Sequence, residues 1–159
     1  MKSQIILCSG GARSGKSEFA ERLALSTEGR KAYVATGQAF DEEMVDRIKK
    51  HQERRGDIWT NFEVPLYLAK EWQNISQSTD VILIDCLTMF TTNHMMAHGS
   101  IQGQQDANDL EEAVLSELES LLSLIASSDG KTVIFVTNEI GLGIVPDNKL
   151  ARYFRDIAG

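Results

Sequence analysis

Residues 4–17 read QIILCSGGARSGKS, and this stretch decides the fold. A short apolar run, Ile5 to Cys8, ends in Ser9, Gly10 and Gly11, and a helical pattern follows Ser17. Gly10 and Gly15 are separated by four residues and followed directly by Lys16 and Ser17. This is the phosphate-binding P-loop spacing G-x-x-x-x-G-K-S/T, with the strand before it and the helix after it that the loop requires. A triphosphate is a cluster of negative oxygens, best held by several N–H donors at once. Glycine lets the backbone turn its amides inward without a Cβ clash. The helix beginning near Gly15 adds free N–H groups and the positive end of its dipole. Lys16 is placed to reach the β- and γ-phosphates, and the Ser17 hydroxyl to hold Mg²⁺. The plainer reading is a glycine-rich turn with no ligand. Four such positions fall together by chance in roughly one chain of this length in two hundred.

Working outward, the 159 residues are enough for one domain with its own core. A net charge of −7 argues against a broad nucleic-acid or membrane surface. The P-loop is compatible with an acidic chain because it works through local dipoles and one lysine. The two cysteines, Cys8 and Cys86, each close an apolar run, which reads as small core residues in a reducing compartment rather than a disulfide. The apolar run after Met-Lys-Ser is too short for a signal peptide, and no segment approaches the ~20 apolar residues of a membrane span. The expected location is the cytoplasm.

Strands are expected at 4–8, 32–35, 80–86 and 132–136, with a short edge strand within 56–63. Helices are expected at 15–28, 41–55, 109–127 and 147–158, and another opening at Pro65. In the first helix, Phe19, Ala20, Leu23 and Ala24 share a face. Residues 41–55 form a charged helix capped by Asp41, with Met44, Val45 and Ile48 as a thin apolar edge. Residues 99–108 read as a mobile loop, and Asp147 as the cap of the last helix. This order predicts an α/β domain with a mostly parallel sheet and right-handed crossovers. Asp85 ends the clearest core strand, where an acid sits beside the ligand crevice and can face Mg²⁺. A turn-capping aspartate is the alternative. His94 and His98 are one helical turn apart, but no carboxylate or cysteine completes a metal set. Arg152 and Arg155 recur at i, i+3 and face either a ligand, a neighbouring subunit or solvent. Taken alone, His51 reads as a solvated helix histidine.

Several stretches together resemble one family. They are GGARSGKS at 10–17, VATGQ at 34–38, DEEM at 41–44 and RIKKHQERR at 47–55. Trp59 to Glu63, LIDCLT at 83–88 and TNEIGLGIVPDNKLARYFRDIAG at 137–159 follow in order. The chain resembles the bifunctional adenosylcobinamide kinase/adenosylcobinamide-phosphate guanylyltransferases of cobalamin synthesis. The resemblance implies a RecA-like three-layer α/β/α P-loop fold and a homotrimer. It implies phosphorylation of adenosylcobinamide by ATP or GTP, then GMP transfer from GTP through a guanylylated histidine, here His51. The products are adenosylcobinamide-GDP and pyrophosphate. Lys16 is the implied partner of His51 in catalysis. The implied nucleotide contacts are Gly10, Gly11, Ala12, Arg13, Ser14, Gly15, Lys16, Ser17, Ala35, Thr36, Gly37, Gln52, Glu53, Arg54, Arg55, Glu63 and Asp85, with Ser17 and Asp85 also toward Mg²⁺. The family continues past the glycine matching Gly159, so residues 1–159 are expected to form a single nucleotide-binding domain short of a C-terminal strand segment. Two other readings stay open: a P-loop small-molecule kinase or NTPase without a covalent step, and a nucleotide-binding subunit without turnover.

Overall fold

Three apolar runs, each too short for a helix and flanked by polar residues, form one side of the sheet, from its edge strand inward. They are β1 (Gln4–Gly10), β4 (Val81–Asp85) and β5 (Thr132–Asn138). With β2 (Lys31–Ala35) and β3 (Trp59–Glu63) they make a five-stranded, wholly parallel sheet in the order β1-β5-β4-β2-β3. The computed structural model describes residues 1–38 and 41–159. Between the strands lie α1 (Lys16–Ser26), α2 (Glu42–Arg55), α3 (Leu68–Ser76), α4 (Leu87–His98), α5 (Gln104–Ala126) and, at the end, α6 (Lys149–Ala158).

Period-two alternation splits the core between the two faces of the sheet. Val34, Ile82, Ile84, Val133 and Phe135 point to one face and pack on Leu68, Trp72 and Ile75 of α3, Phe90 of α4 and Leu110, Val114, Leu121 and Ile125 of α5. Tyr33, Val81, Leu83, Ile134 and Val136 point to the other face and meet Ala20 and Ala24 of α1. Those alanines are fully buried, which lets α1 lie close to the sheet. The result is the expected three-layer α/β/α sandwich. The P-loop strand β1 and the Asp85 strand β4 are held one strand apart by β5.

Several local expectations need correction. Ile5 and Leu7 are exposed, because β1 lies at the sheet edge where the helical layer ends. Phe19 also faces solvent rather than the core. Residues 87–98 are a regular helix, which had no readable stripe because apolar residues occur all round it. Met96 on it is exposed. The loop after it is shorter than expected, since α5 starts at Gln104 and buries Ala107 in its first turn. The helix opening near Pro65 begins at Leu68. Asn148, not Asp147, caps α6, accepting from the Ala151 N–H at 3.0 Å. Asp41 does cap α2, accepting from the Met44 N–H at 2.7 Å.

Candidate active site

In a parallel α/β sheet the loops that leave the carboxyl ends of the strands gather on one side. Here those loops are the P-loop after β1, residues 36–38 after β2, and Cys86 with α4 after β4. In the P-loop, Gly15 has φ of 82°, a left-handed conformation that costs little only without a Cβ. It is also the N-cap of α1 and contributes no side chain to cover the first free amides. A Cβ on Gly10 would lie 2.6 Å from Ser14 Oγ, so the loop closes tightly there. The Gly10 carbonyl accepts from the Glu139 N–H at 2.7 Å, tying the loop to the end of β5. Lys16 Nζ folds back onto the Gly11 carbonyl at 3.2 Å. The loop, the uncapped amides and this lysine form one concave, electropositive turn suited to phosphate.

Beside it is a cleft of about 320 Å³ lined by Ser17, Glu21, Tyr33, Ala35, Gly37, Ile48, His51, Arg54, Arg55, Asp85, Cys86 and Met89. The sequence reading named seven of these, from four separate segments: Ser17, Ala35, Gly37, His51, Arg54, Arg55 and Asp85. His51 is exposed and also lines a groove along the outer face of α2, with Glu43, Asp46, Arg47, Lys50 and Arg54. Ser17 and Asp85 offer hard oxygen donors, a set that suits Mg²⁺. Among the described residues Asp85 caps no turn, and its Oδ2 accepts from the Tyr33 hydroxyl at 2.6 Å.

Four named residues stand apart from the cleft. Thr36 is fully buried, with its N–H on the Asp85 carbonyl at 3.1 Å and its hydroxyl on the Cys86 carbonyl at 2.7 Å. Gln52 and Glu53 lie on other faces of α2. Glu63, at the end of β3, borders a different cavity with Val64, Pro65, Leu66 and Tyr67. Arg152 and Arg155 turn inward on their own chain. Arg152 donates to the Pro146 and Asp147 carbonyls at 2.9 and 2.6 Å, and Arg155 to the Gly141 carbonyl at 2.7 Å. They fasten the loop before α6. His94 contacts the Leu66 carbonyl at 3.1 Å and stacks edgewise on Phe90, so its ring is already used.

Glu21 and Tyr33 were missed in the sequence. Glu21 carries no motif, and Tyr33 falls within the expected strand at 32–35. Glu21 meets Arg54 at 3.6 Å and Arg55 at 4.0 Å. The Arg55 guanidinium lies 3.5 Å over the Tyr33 ring, with only 6% of its side chain exposed. Its Nε is buried with no hydrogen-bond partner among the described residues. Burial first, then the Asp85 charge and hydrogen bond, drives the Tyr33 phenol far above its ordinary value. Tyr33 therefore keeps its proton and serves as a hydrogen-bond donor to Asp85. Burial also pushes the Cys86 thiol up, so it is an inert neutral group at the rim.

Residues 6–159 match the family described as cobinamide kinase / cobinamide phosphate guanyltransferase. The chain belongs to that family. It is 37% identical over 164 residues to the bifunctional adenosylcobalamin biosynthesis protein CobU of Escherichia coli (strain K12), covering 98% of this chain and 86% of that protein. It is 40% identical over 157 residues to the CobU of Salmonella typhimurium, with the same coverage of each chain. The CobP of Pseudomonas aeruginosa is 39% identical over 150 residues, covering 94% of this chain and 80% of the relative. Among solved structures, an ATPase from the type III secretion system of pathogenic bacteria superposes with a TM-score of 0.59 at 14% identity. The match covers 98% of this chain and 49% of that one, so the likeness is one of fold. Among the described residues no helix is long and apolar enough to cross a membrane.

Proposed function

We propose that one cleft serves both reactions, with His51 as the covalent carrier of GMP. The family's two activities, cobinamide kinase and cobinamide phosphate guanylyltransferase of cobalamin biosynthesis, are those of this chain. The finer assignment rests on a single juxtaposition: His51, Ser17 and Asp85 open onto one cavity, although they come from α2, α1 and β4.

In the first reaction the hydroxyl of adenosylcobinamide attacks the γ-phosphorus of ATP or GTP, and the nucleoside diphosphate leaves. The P-loop amides and Lys16 hold the phosphates, and Lys16 exchanges its contact with the Gly11 carbonyl for phosphate oxygen. In the second, the neutral His51 imidazole attacks the α-phosphorus of GTP. The P–N bond forms as the bond to pyrophosphate breaks, and pyrophosphate departs with its charge matched by Lys16 and Arg54. An oxygen of adenosylcobinamide phosphate then attacks the same phosphorus, the P–N bond breaks, and His51 is regenerated. Splitting the transfer in two suits imidazole, which is unprotonated near neutral pH and forms a labile phosphoramidate. Mg²⁺, when bound, neutralises charge on the phosphates, and Ser17 and Asp85 are the residues that would hold it. A homotrimer is the assembly proposed with this reading.

GTP labelled at the α- or the γ-phosphate, in separate reactions, tests it. The γ-label should pass to adenosylcobinamide, and the α-label to the protein and then to adenosylcobinamide phosphate. His51→Ala should abolish the second transfer and retain the first. A His51→Ala protein that still transfers GMP at the parent rate contradicts the covalent step. Retained γ-transfer with no α-transfer by the parent protein would point to the plain P-loop kinase.

A further inference from the structure

Tyr33 is engaged on three sides at the cleft, and the two reactions as written give it no part. It sits on β2 with its ring facing α1, and three groups meet it from three directions. Its hydroxyl donates to Asp85 Oδ2 on β4 at 2.6 Å. The Arg55 guanidinium, from the last turn of α2, lies 3.5 Å over its ring. The Trp59 ring abuts it edge-on at 5.9 Å between centroids, and is itself buried. Arg55 is further held by Asn61 Oδ1, which accepts at 3.3 Å, and by Glu21.

A bare packing role does not account for this arrangement. Phenylalanine would fill the same volume, whereas the hydroxyl fixes one oxygen of Asp85 and leaves the other oxygen to the cleft. A carboxylate that accepts a short hydrogen bond at one oxygen loses rotational freedom, so its second oxygen is presented in one orientation. The ring has a separate task. Helix α2 buries none of its residues, so its attachment to the body depends on few contacts. Arg55 makes one of them, with 6% of its side chain exposed, and lies four positions after His51, one helical turn away. A desolvated guanidinium over an aromatic face is held by the negative charge of the ring.

We propose that Tyr33 is a positioning residue with two separable functions. Its hydroxyl orients Asp85 toward the metal–nucleotide complex, and its ring seats Arg55 and thereby sets the place of His51. The inference rests on the reading of Asp85 and His51 given above. It assigns to one side chain the coupling between the metal side and the histidine side of the cleft.

Two substitutions separate the functions. Tyr33→Phe removes the hydroxyl and keeps the ring, while Tyr33→Leu removes both. Mn²⁺ binding to the protein with a non-hydrolysable GTP analogue, read by electron paramagnetic resonance, reports on the first function without turnover. Tyr33→Phe should weaken Mn²⁺ about threefold to tenfold, with metal-free nucleotide affinity within about twofold of the parent. At saturating Mg²⁺ it should guanylylate His51 nearly as the parent does. Tyr33→Leu should lose about tenfold more in His51 guanylylation than in γ-phosphoryl transfer, because only the former needs α2 in place. A purely structural tyrosine gives other results: unchanged Mn²⁺ affinity in Tyr33→Phe, or equal loss of both transfers in Tyr33→Leu. Either result overturns the proposal. If the parent protein takes no label from GTP, the kinase and guanylyltransferase reading fails, and the Mn²⁺ titration still decides the role of the hydroxyl.

Discussion

The two ends of the parallel sheet are built from similar residues and use them in opposite ways. At the amino end, charged side chains close on one another and on the backbone. Asp80 receives the Arg30 N–H at 2.9 Å and the guanidinium at 3.0 and 3.2 Å. Lys131 Nζ caps the Ser76 and Thr79 carbonyls at 2.6 and 2.7 Å, and Lys31 Nζ caps those of Thr27 and Gly29, both at 2.7 Å. At the carboxyl end, among the described residues, His51 stays exposed, Lys16 is held by the Gly11 carbonyl, and Arg55 keeps an unpartnered Nε. One end spends its polar groups on the fold, and the other leaves several of them open toward the cleft, where the proposed reactions need them. The contrast separates stability from chemistry by position in the sheet.

That contrast predicts that damage at the amino end lowers stability without touching the reaction. Lys131→Met leaves two partly buried carbonyls without their donor. It should cost about 1–3 kcal/mol of unfolding free energy by urea titration, with GMP incorporation per folded molecule unchanged. Equal loss of incorporation would mean that the two ends are not independent. A smaller effect follows from Asp80. Its hydrogen bonds with the Arg30 side chain and backbone hold its carboxyl down to about 2, from an ordinary 3.8. A depressed folded value means that its contribution is complete above the ordinary value and is lost as pH falls through the folded one. Asp80→Asn should therefore flatten the fall in stability between about pH 4 and pH 2, seen by thermal unfolding across that range. A slope identical to the parent would show that Asp80 is not the group responsible. Because the group is a third exposed, solvent screening keeps the effect modest.

The same division explains what could be read in the sequence. The P-loop, the apolar runs at β4 and β5, and Asp85 at a strand end are local patterns, and they gave the fold class and part of the cleft. Strand order is not local: nothing in residues 4–10 says that β1 lies beside β5 at an edge, so Ile5 and Leu7 looked buried. Helix α4 was illegible because its apolar residues show no stripe. The start of α5 was hidden by Gln104, Gln105 and Asp106, which resemble a loop and are the polar first turn of a helix. Tyr33 and Glu21 carry ordinary signals, a tyrosine in an apolar strand and an acid on a helix. Their part in the cleft arises only when the carboxyl ends of β2 and β4 and the last turn of α2 converge. The family resemblance supplied His51, which periodicity alone leaves on a solvated face.

The central claim is that the imidazole of residue 51 bonds to the innermost phosphorus of GTP. Mass spectrometry of the protein after brief exposure to GTP and Mg²⁺, without corrinoid, tests it most directly. The account predicts an acid-labile addition of one GMP, on the peptide containing Lys50, His51 and Gln52, at His51. An intact protein with no added mass, or GMP found on any residue but His51, would contradict it.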